Sequence, residues 1–299
     1  MRTLRIASAV AVSALLVGGL TACNGKSGSG QDAKAGASAA ASAGASGAAN
    51  GASAGAGAAA GKDLAPKEAL LASAAVMDKL GSAKLTTKGA TADDSGTGAI
   101  VWKAPQAFQI TTKNEGKDYQ VLFTGDVMYV GATPELASVA GGKKWMKIDL
   151  KAAAASGAPG TEDAGSFAAM TQLMNPAVQL AVAAPNATKV GAEKVDGVDT
   201  VHYRSQVDVD ALVAGMTLAP DMKAKVTEQL KKDGTKTTFD LWINAKGELV
   251  QQAGTELGAG GAGATTVKYS ELGTVTAPKA PAASDVFDLA DLMKQLGQH

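Results

Sequence analysis

The sequence predicts an α+β domain built on one long, curled antiparallel sheet with a few helices against its inner face. Three observations predict it. Most of the chain after residue 80 breaks into short alternating apolar runs separated by Gly-, Asn- and Asp-containing turn signals. Helical periodicity is confined to a few isolated segments. The regular strand–helix–strand alternation of a doubly wound parallel sheet is absent.

The elements follow in chain order. Met1–Ala22 has Arg2 and Arg5 ahead of an apolar run from Ile6 to about Gly19, and Leu20-Thr21-Ala22-Cys23 closes it. This is the pattern of a secretory signal with a lipobox, and it is short for a membrane-spanning helix. Cys23, the single cysteine of the chain, is the residue expected to carry the lipid and to become the first residue after cleavage. An ordinary secreted protein with an incidental cysteine is the alternative. Residues 23–62 combine this cysteine with a tract of Ala, Gly and Ser that lacks large apolar side chains. Such a tract cannot bury enough surface to offset its ordering entropy, so a disordered tether is expected. Compositional drift would produce the same tract. Residues 63–299 then form a single domain, long enough for a sizeable core.

Asp63–Leu80 reads as a helix, with Pro66 in its first turn, Leu70, Ala74, Met77 and Leu80 on one stripe, and Gly81 as its stop. Strands are expected at Lys84–Thr91, Gly98–Lys103, Ala107–Lys113, Tyr119–Thr124, Val127–Val130 and Lys144–Leu150. Their alternation gives a meander with one buried face. Ala152–Gly165 reads as a small-residue loop, and Ser166–Met174 and Pro176–Ala183 as two short helices. Strands return at Ala187–Val195 and Asp199–Val207 around Asp196-Gly197, followed by helical Asp208–Gly215 and Asp221–Lys232. Lys236–Ile243 and Glu248–Glu256 form a hairpin, Ala264–Leu272 is a strand, and Ser284–Leu296 reads as a helix capped by Ser284. So many strands do not lie flat; the sheet curls, and helices on its concave side create a cavity.

Composition excludes several functions. There are 28 basic and 28 acidic residues, and removing Arg2 and Arg5 leaves 26 against 28, near −2, so the chain is not a generally basic nucleic-acid binder. One cysteine permits no internal disulfide, and two distant histidines offer no His-based metal or catalytic cluster, so no cofactor and no enzyme activity are expected. Gly258–Gly263 matches G-x-G-x-x-G but precedes a strand, where a dinucleotide site needs a helix. His202 reads as a surface or interface residue. Asp93-Asp94 and Glu162-Asp163 lie near turns, and Asp208 and Asp210 are expected to cap a helix. Asn186-Ala187-Thr188 is a glycosylation sequon by pattern alone. Lys223, Lys225, Lys231 and Lys232 give one helix a basic face that either meets anionic lipid or is simply solvated.

Two stretches carry a family resemblance. Asp240-Leu241-Trp242-Ile243-Asn244-Ala245-Lys246-Gly247-Glu248-Leu249-Val250 resembles a hairpin of LolA-like lipoprotein carriers, and Val195-Asp196-Gly197-Val198-Asp199-Thr200-Val201-His202-Tyr203 resembles an earlier hairpin of that group. The lipobox, the first helix before a Thr-rich strand, and Pro281-Ala282-Ala283-Ser284-Asp285-Val286-Phe287-Asp288-Leu289 are similar to LppX/LprG-type lipoproteins of actinobacteria. The resemblance covers roughly residues 64–292 and contains no catalytic motif. It implies an open half-barrel with an apolar pocket for acyl chains. It also implies, for some members, transfer of lipids or glycolipids outward from the extracytoplasmic face of the cell membrane. The long tether and the Ala152–Gly165 loop depart from it, and no head-group site carries over.

The candidate pocket residues are Ile100, Trp102, Phe108, Ile110, Val121, Phe123, Met128, Val130, Met146 and Ile148 from strands, and Met170, Leu173, Met174 and Leu180 from the central helices. Each reads first as plain core and only second as a ligand contact. Two functions follow. One is a lipid-anchored protein that binds, and as a further step transfers, a hydrophobic ligand. The other is an envelope binding or signalling module with a filled core that acts through a protein partner.

Overall fold

A computed structural model describes residues 64–89, 95–114, 116–152, 171–172, 174–231, 234–255, 264–288 and 291. Helix α1 spans Pro66–Leu80; Pro66 lies in its first turn, and Gly81 closes it at φ 75°, donating its N–H to Met77 O. Strands β1 Ser82–Lys88, β2 Gly96–Val101, β3 Ala107–Asn114, β4 Lys117–Thr124, β5 Val127–Gly131 and β6 Trp145–Asp149 follow. Helix α2, Pro134–Val139, interrupts them; its Thr133 cap accepts from Leu136 N. Next come α3 Pro176–Ala183, capped by Asn175 through Ala177 N, then β7 Thr188–Val195 and β8 Val198–Asp208. Helices α4 Val209–Ala214 and α5 Pro220–Lys231 precede β9 Lys236–Asn244, β10 Leu249–Thr255, β11 Ala264–Ser270 and β12 Val286–Asp288.

All twelve strands form one open sheet in the order β12-β6-β5-β4-β3-β2-β1-β11-β10-β9-β8-β7. Every pairing is antiparallel except β12 with β6. The α+β class and the long antiparallel sheet are therefore as expected. The topology has a simple logic. β1 is central, the meander β2–β6 grows from one side of it, and β11 back to β7 grows from the other. We call these the first and second wings. Asp196 and Gly197 both take positive φ, 49° and 83°, in the β7–β8 turn, which matches the twist of a tight hairpin.

The inner face is the one that carries α1, α3 and α4. Helices α1 and α3 pack on each other, and both α3 and α4 touch β8. Leu70, Ser73 and Met77 of α1, Leu180 and Ala183 of α3, and Val209, Leu212 and Val213 of α4 are buried. They meet Tyr203, Val207, Leu241 and Leu249 from the second wing. Trp102 fastens the far end: its indole N–H donates to Met77 O at 2.9 Å, fixing the end of β2 to the end of α1.

Three expectations are corrected. Helix α2 was not foreseen. Ser284 does not cap a helix: Ala283–Asp285 is a 3-10 turn and Val286–Asp288 is a strand on β6, because pairing with an available edge and burial of Phe287 outweigh local helix preference. Asp208 makes no capping bond to α4 through its side chain. It faces Lys236 at 3.8 Å, while Asp210 pairs with Lys231 at 2.7 Å.

Candidate functional site

The pairing register lines up the expected pocket residues in rows across the inner face of the first wing. One row runs Ala83, Ile100, Phe108, Phe123, Met128, Ile148. The next runs Leu85, Gly98, Ile110, Val121, Val130, Met146 and reaches Phe287 on β12. Alternation puts these side chains on one face because successive residues of a strand point to opposite sides. Phe108 and Phe123 lie 5.5 Å apart between ring centroids, a tilted aromatic pair. Gly98 leaves its row without a side chain for a reason: a Cβ there would stand 2.5 Å from Gln109 O and crowd Ile110 and Leu85.

Ile100, Phe108, Val121, Phe123, Met128 and Val130 are buried. Ile110, Met146 and Ile148 are only partly buried, as are Tyr119 and Leu150 beside them. Burial raises the pKa of the Tyr119 phenol above its ordinary value. A small cavity of about 10 Å³, room for roughly one water, lies where Ile100, Trp102, Phe108, Phe123, Thr171 and Met174 meet. Met174 thus faces the strand residues. Leu180 instead sits fully buried in α3, whose partner is α1. Trp102 lines the cavity and also serves as the bolt to Met77. Cys23, Met170, Leu173, most of the 166–174 segment, the 258–263 glycine motif, Asp93-Asp94 and Glu162-Asp163 lie outside the described residues.

The opposite, outer face of the second wing carries a polar cluster that the sequence did not reveal. His202 is buried, its side chain 7% exposed, which corrects the surface half of its expected surface-or-interface placement. Its Nδ1 lies 2.9 Å from Glu193 Oε1 and its Nε2 2.6 Å from Asp240 Oδ1. The ring stacks on Trp242 at 4.3 Å, and Trp242 Nε1–H donates to Glu193 Oε2 at 2.7 Å. Arg204 Nε–H donates to Asp240 Oδ1 at 2.8 Å. Hydrogen bonds from Trp242 and then His202 hold Glu193 below its ordinary carboxylate pKa, and Asp240 raises that of Arg204. Both imidazole nitrogens are committed to carboxylates, and among the described residues no hydroxyl or thiol nucleophile bonds to the ring. The arrangement therefore serves as a cross-strand clasp among β7, β8 and β9. Only the pairing register, unreadable from one sequence, brings these residues together.

Other singled-out groups have local roles. Asn186 Nδ2–H donates to Gln206 O at 3.0 Å, and Lys223 Nζ–H to Ala214 O at 2.9 Å. Among the described residues, no group of three or more His, Cys, Asp or Glu is placed to hold a metal ion, and no helix is long and apolar enough to cross a membrane.

No protein-family model matches the chain. An uncharacterized 31.2 kDa protein from the rplA–rplJ intergenic region of Streptomyces griseus is 33% identical over 183 residues, which are 60% of this chain and 59% of that protein. The match thus spans less than two thirds of that relative's length. Among solved structures, the chain is similar to LprF from Mycobacterium bovis, with 16% identity over 73% of this chain and 97% of that one and a TM-score of 0.46. It is also similar to the lipoprotein LppX from Mycobacterium tuberculosis, with 13% identity over 70% and 97% of the two chains and a TM-score of 0.41.

Proposed function

We propose that this protein is a lipid-anchored envelope protein, held at Cys23 on the extracytoplasmic side of the cell membrane, that binds a hydrophobic ligand on the inner face of its first wing. The observation that carries this reading is the pair of continuous apolar rows in which Ile110, Met146 and Ile148 stay only partly buried. Apolar side chains in a finished core are normally sealed; here part of a continuous apolar surface stays open. Acyl chains laid along it would gain roughly 25 cal/mol per Å² of apolar surface removed from water. The lipobox supplies the anchor, since a modified Cys23 with more than one acyl chain binds membranes stably. Met128, Met146 and Met174 suit the task because the unbranched thioether adapts to irregular apolar shapes. No bond is made or broken in this function, so the protein is a binder and not an enzyme. Handing a ligand to an acceptor membrane would need only comparable affinities on both sides.

The filled second wing gives the rival reading its support: a packed module that recognises a protein partner. Native mass spectrometry of the full chain from an actinobacterial host, with lipid analysis of its extract, separates the two. A stoichiometric bound lipid is expected. A lipid-free mass together with no uptake of a fluorescent acyl probe would favour the partner-binding module.

A further inference from the structure

The third row of the inner face differs in chemistry from the two apolar rows beside it. From β9 to β3 it runs Leu241, Gln252, Val267, Thr87, Gly96, Thr112. Beyond it, Phe239, Gly254 and Thr265 stand opposite one another on β9, β10 and β11. Gln252 and Thr265 are only 6% and 3% exposed, yet Gln252 Oε1 and Thr265 Oγ1 have no hydrogen-bond partner. Helix α1 crosses this part of the sheet, since Leu249 N–H donates to Met77 Sδ at 3.4 Å. One turn earlier in α1, the fully buried Ser73 Oγ is also without a partner. Between the two strand residues, Gly254 leaves a gap: a Cβ built there would meet nothing nearer than Thr238 O at 3.8 Å.

A buried polar atom without a partner costs about 1–3 kcal/mol, and native structures keep few of them. Two such atoms flanking a side-chain gap call for a group that fills it. The buried polar side chains of this inner face are neutral; the buried ionisable His202 points to the outer face. Among the described residues a phosphate or carboxylate would find no buried compensating charge there, whereas a hydroxyl can donate to Gln252 Oε1 and exchange a hydrogen bond with Thr265 Oγ1. The third row leads from this gap to the first wing through Thr87, Gly96 and Thr112, which carry hydroxyls or no side chain. Ile110 on β3 is four strands from Gln252, roughly 19 Å at ~4.8 Å per strand, a distance that a long acyl chain covers.

We propose that Gln252 and Thr265, around the gap at Gly254, form a neutral polar subsite for the hydroxyl-bearing head of an amphiphile whose chains lie on the first wing. This rests on the ligand-binding reading above and specifies its ligand as an uncharged, hydroxylated lipid.

The test compares two probes on the full chain after removal of co-purified lipid: dioleoylglycerol, with one free hydroxyl, and trioleoylglycerol, with none. Both are measured by displacement of a fluorescent acyl probe. The wild type should prefer the diacylglycerol by about tenfold, the worth of one good hydrogen bond. Gln252→Leu and Thr265→Val should each bring that ratio toward one, leave trioleoylglycerol affinity unchanged, and keep or raise the melting temperature. Gly254→Ala, which fills the gap without a clash, should do the same. A wild-type ratio near one, or a ratio that all three variants leave intact, overturns the subsite; the latter with raised stability would assign the gap to a water molecule only. Loss of melting temperature in both polar variants would show structural hydrogen bonds and overturn it as well. If the wild type bound neither the lipids nor the fluorescent probe, the ligand-binding reading itself would fail.

Discussion

The two wings start from the same sequence pattern and end in different physical states. Both alternate apolar and polar residues, and both direct their apolar side chains to one face of one sheet. In the second wing that face is sealed except at the Gly254 gap: Tyr203, Val207, Leu241 and Leu249 are almost wholly buried where α1, α3 and α4 pack. In the first wing the same kind of row crosses β6, every residue of which is only partly buried, before one row reaches buried Phe287 on β12. Alternation therefore specifies which face is apolar. It does not specify what covers that face, and the cover decides between core and binding surface.

The largest effect should come from breaking the sealed wing. Leu241→Ala removes a fully buried side chain and should cost about 2–5 kcal/mol in denaturant unfolding. The joint between the wings should be next. Trp102→Phe keeps the aromatic bulk but removes the N–H that reaches Met77 O, and about 1–3 kcal/mol should be lost. The open wing should then show the opposite balance of effects. Ile148→Ala should cost only about 1 kcal/mol, because its site is half solvated, yet binding of a fluorescent acyl probe should weaken several-fold. Equal stability losses at Leu241 and Ile148, with probe binding unaffected, would erase the distinction between the wings.

The smallest effect concerns the outer clasp and depends on pH. Glu193 has a lowered folded-state pKa, so its contribution to stability is present above its ordinary value of 4.5 and fades as pH falls through the depressed value. Glu193→Gln should therefore lower the melting temperature slightly at neutral pH, and the gap to wild type should close on acidification below about pH 4. A gap that widened with acid would contradict the sign. Because Glu193 is largely solvated, the effect should be modest and weaker at high salt.

Much of the fold was legible because its signals are local. Pro66 and Gly81 bracket α1, Asp196-Gly197 marks its hairpin, and alternation places Phe108, Ile110, Val121 and Phe123 on one face. Helix α2 also had a local signal, Thr133-Pro134-Glu135, that went unread. The start of the expected C-terminal helix, Ser284–Asp288, differs because its conformation is set by the distant β6 edge. The site was half legible for the same reason. Which residues are apolar follows from the sequence, but the buried His202 between Glu193 and Asp240, and the unpartnered Gln252 beside Gly254, emerge only from the pairing register and the packing on top of it.

The central pairing of β1 with β11 has a consequence for how fast the molecule forms. Each wing is a meander of neighbours, so its hairpins can zip up within microseconds once begun. The seam between them is different in kind: Lys84 and Glu271, which form an ion pair across it, are 187 positions apart. Closing so long a loop loses chain entropy before any contact repays it, and topologies rich in such contacts fold slowly. The rate-limiting event should therefore be the zipping of one finished wing onto the other. Until then, both edges of the seam are open to foreign strands. The chain is most vulnerable to aggregation during the interval between completion of β1 and arrival of β11.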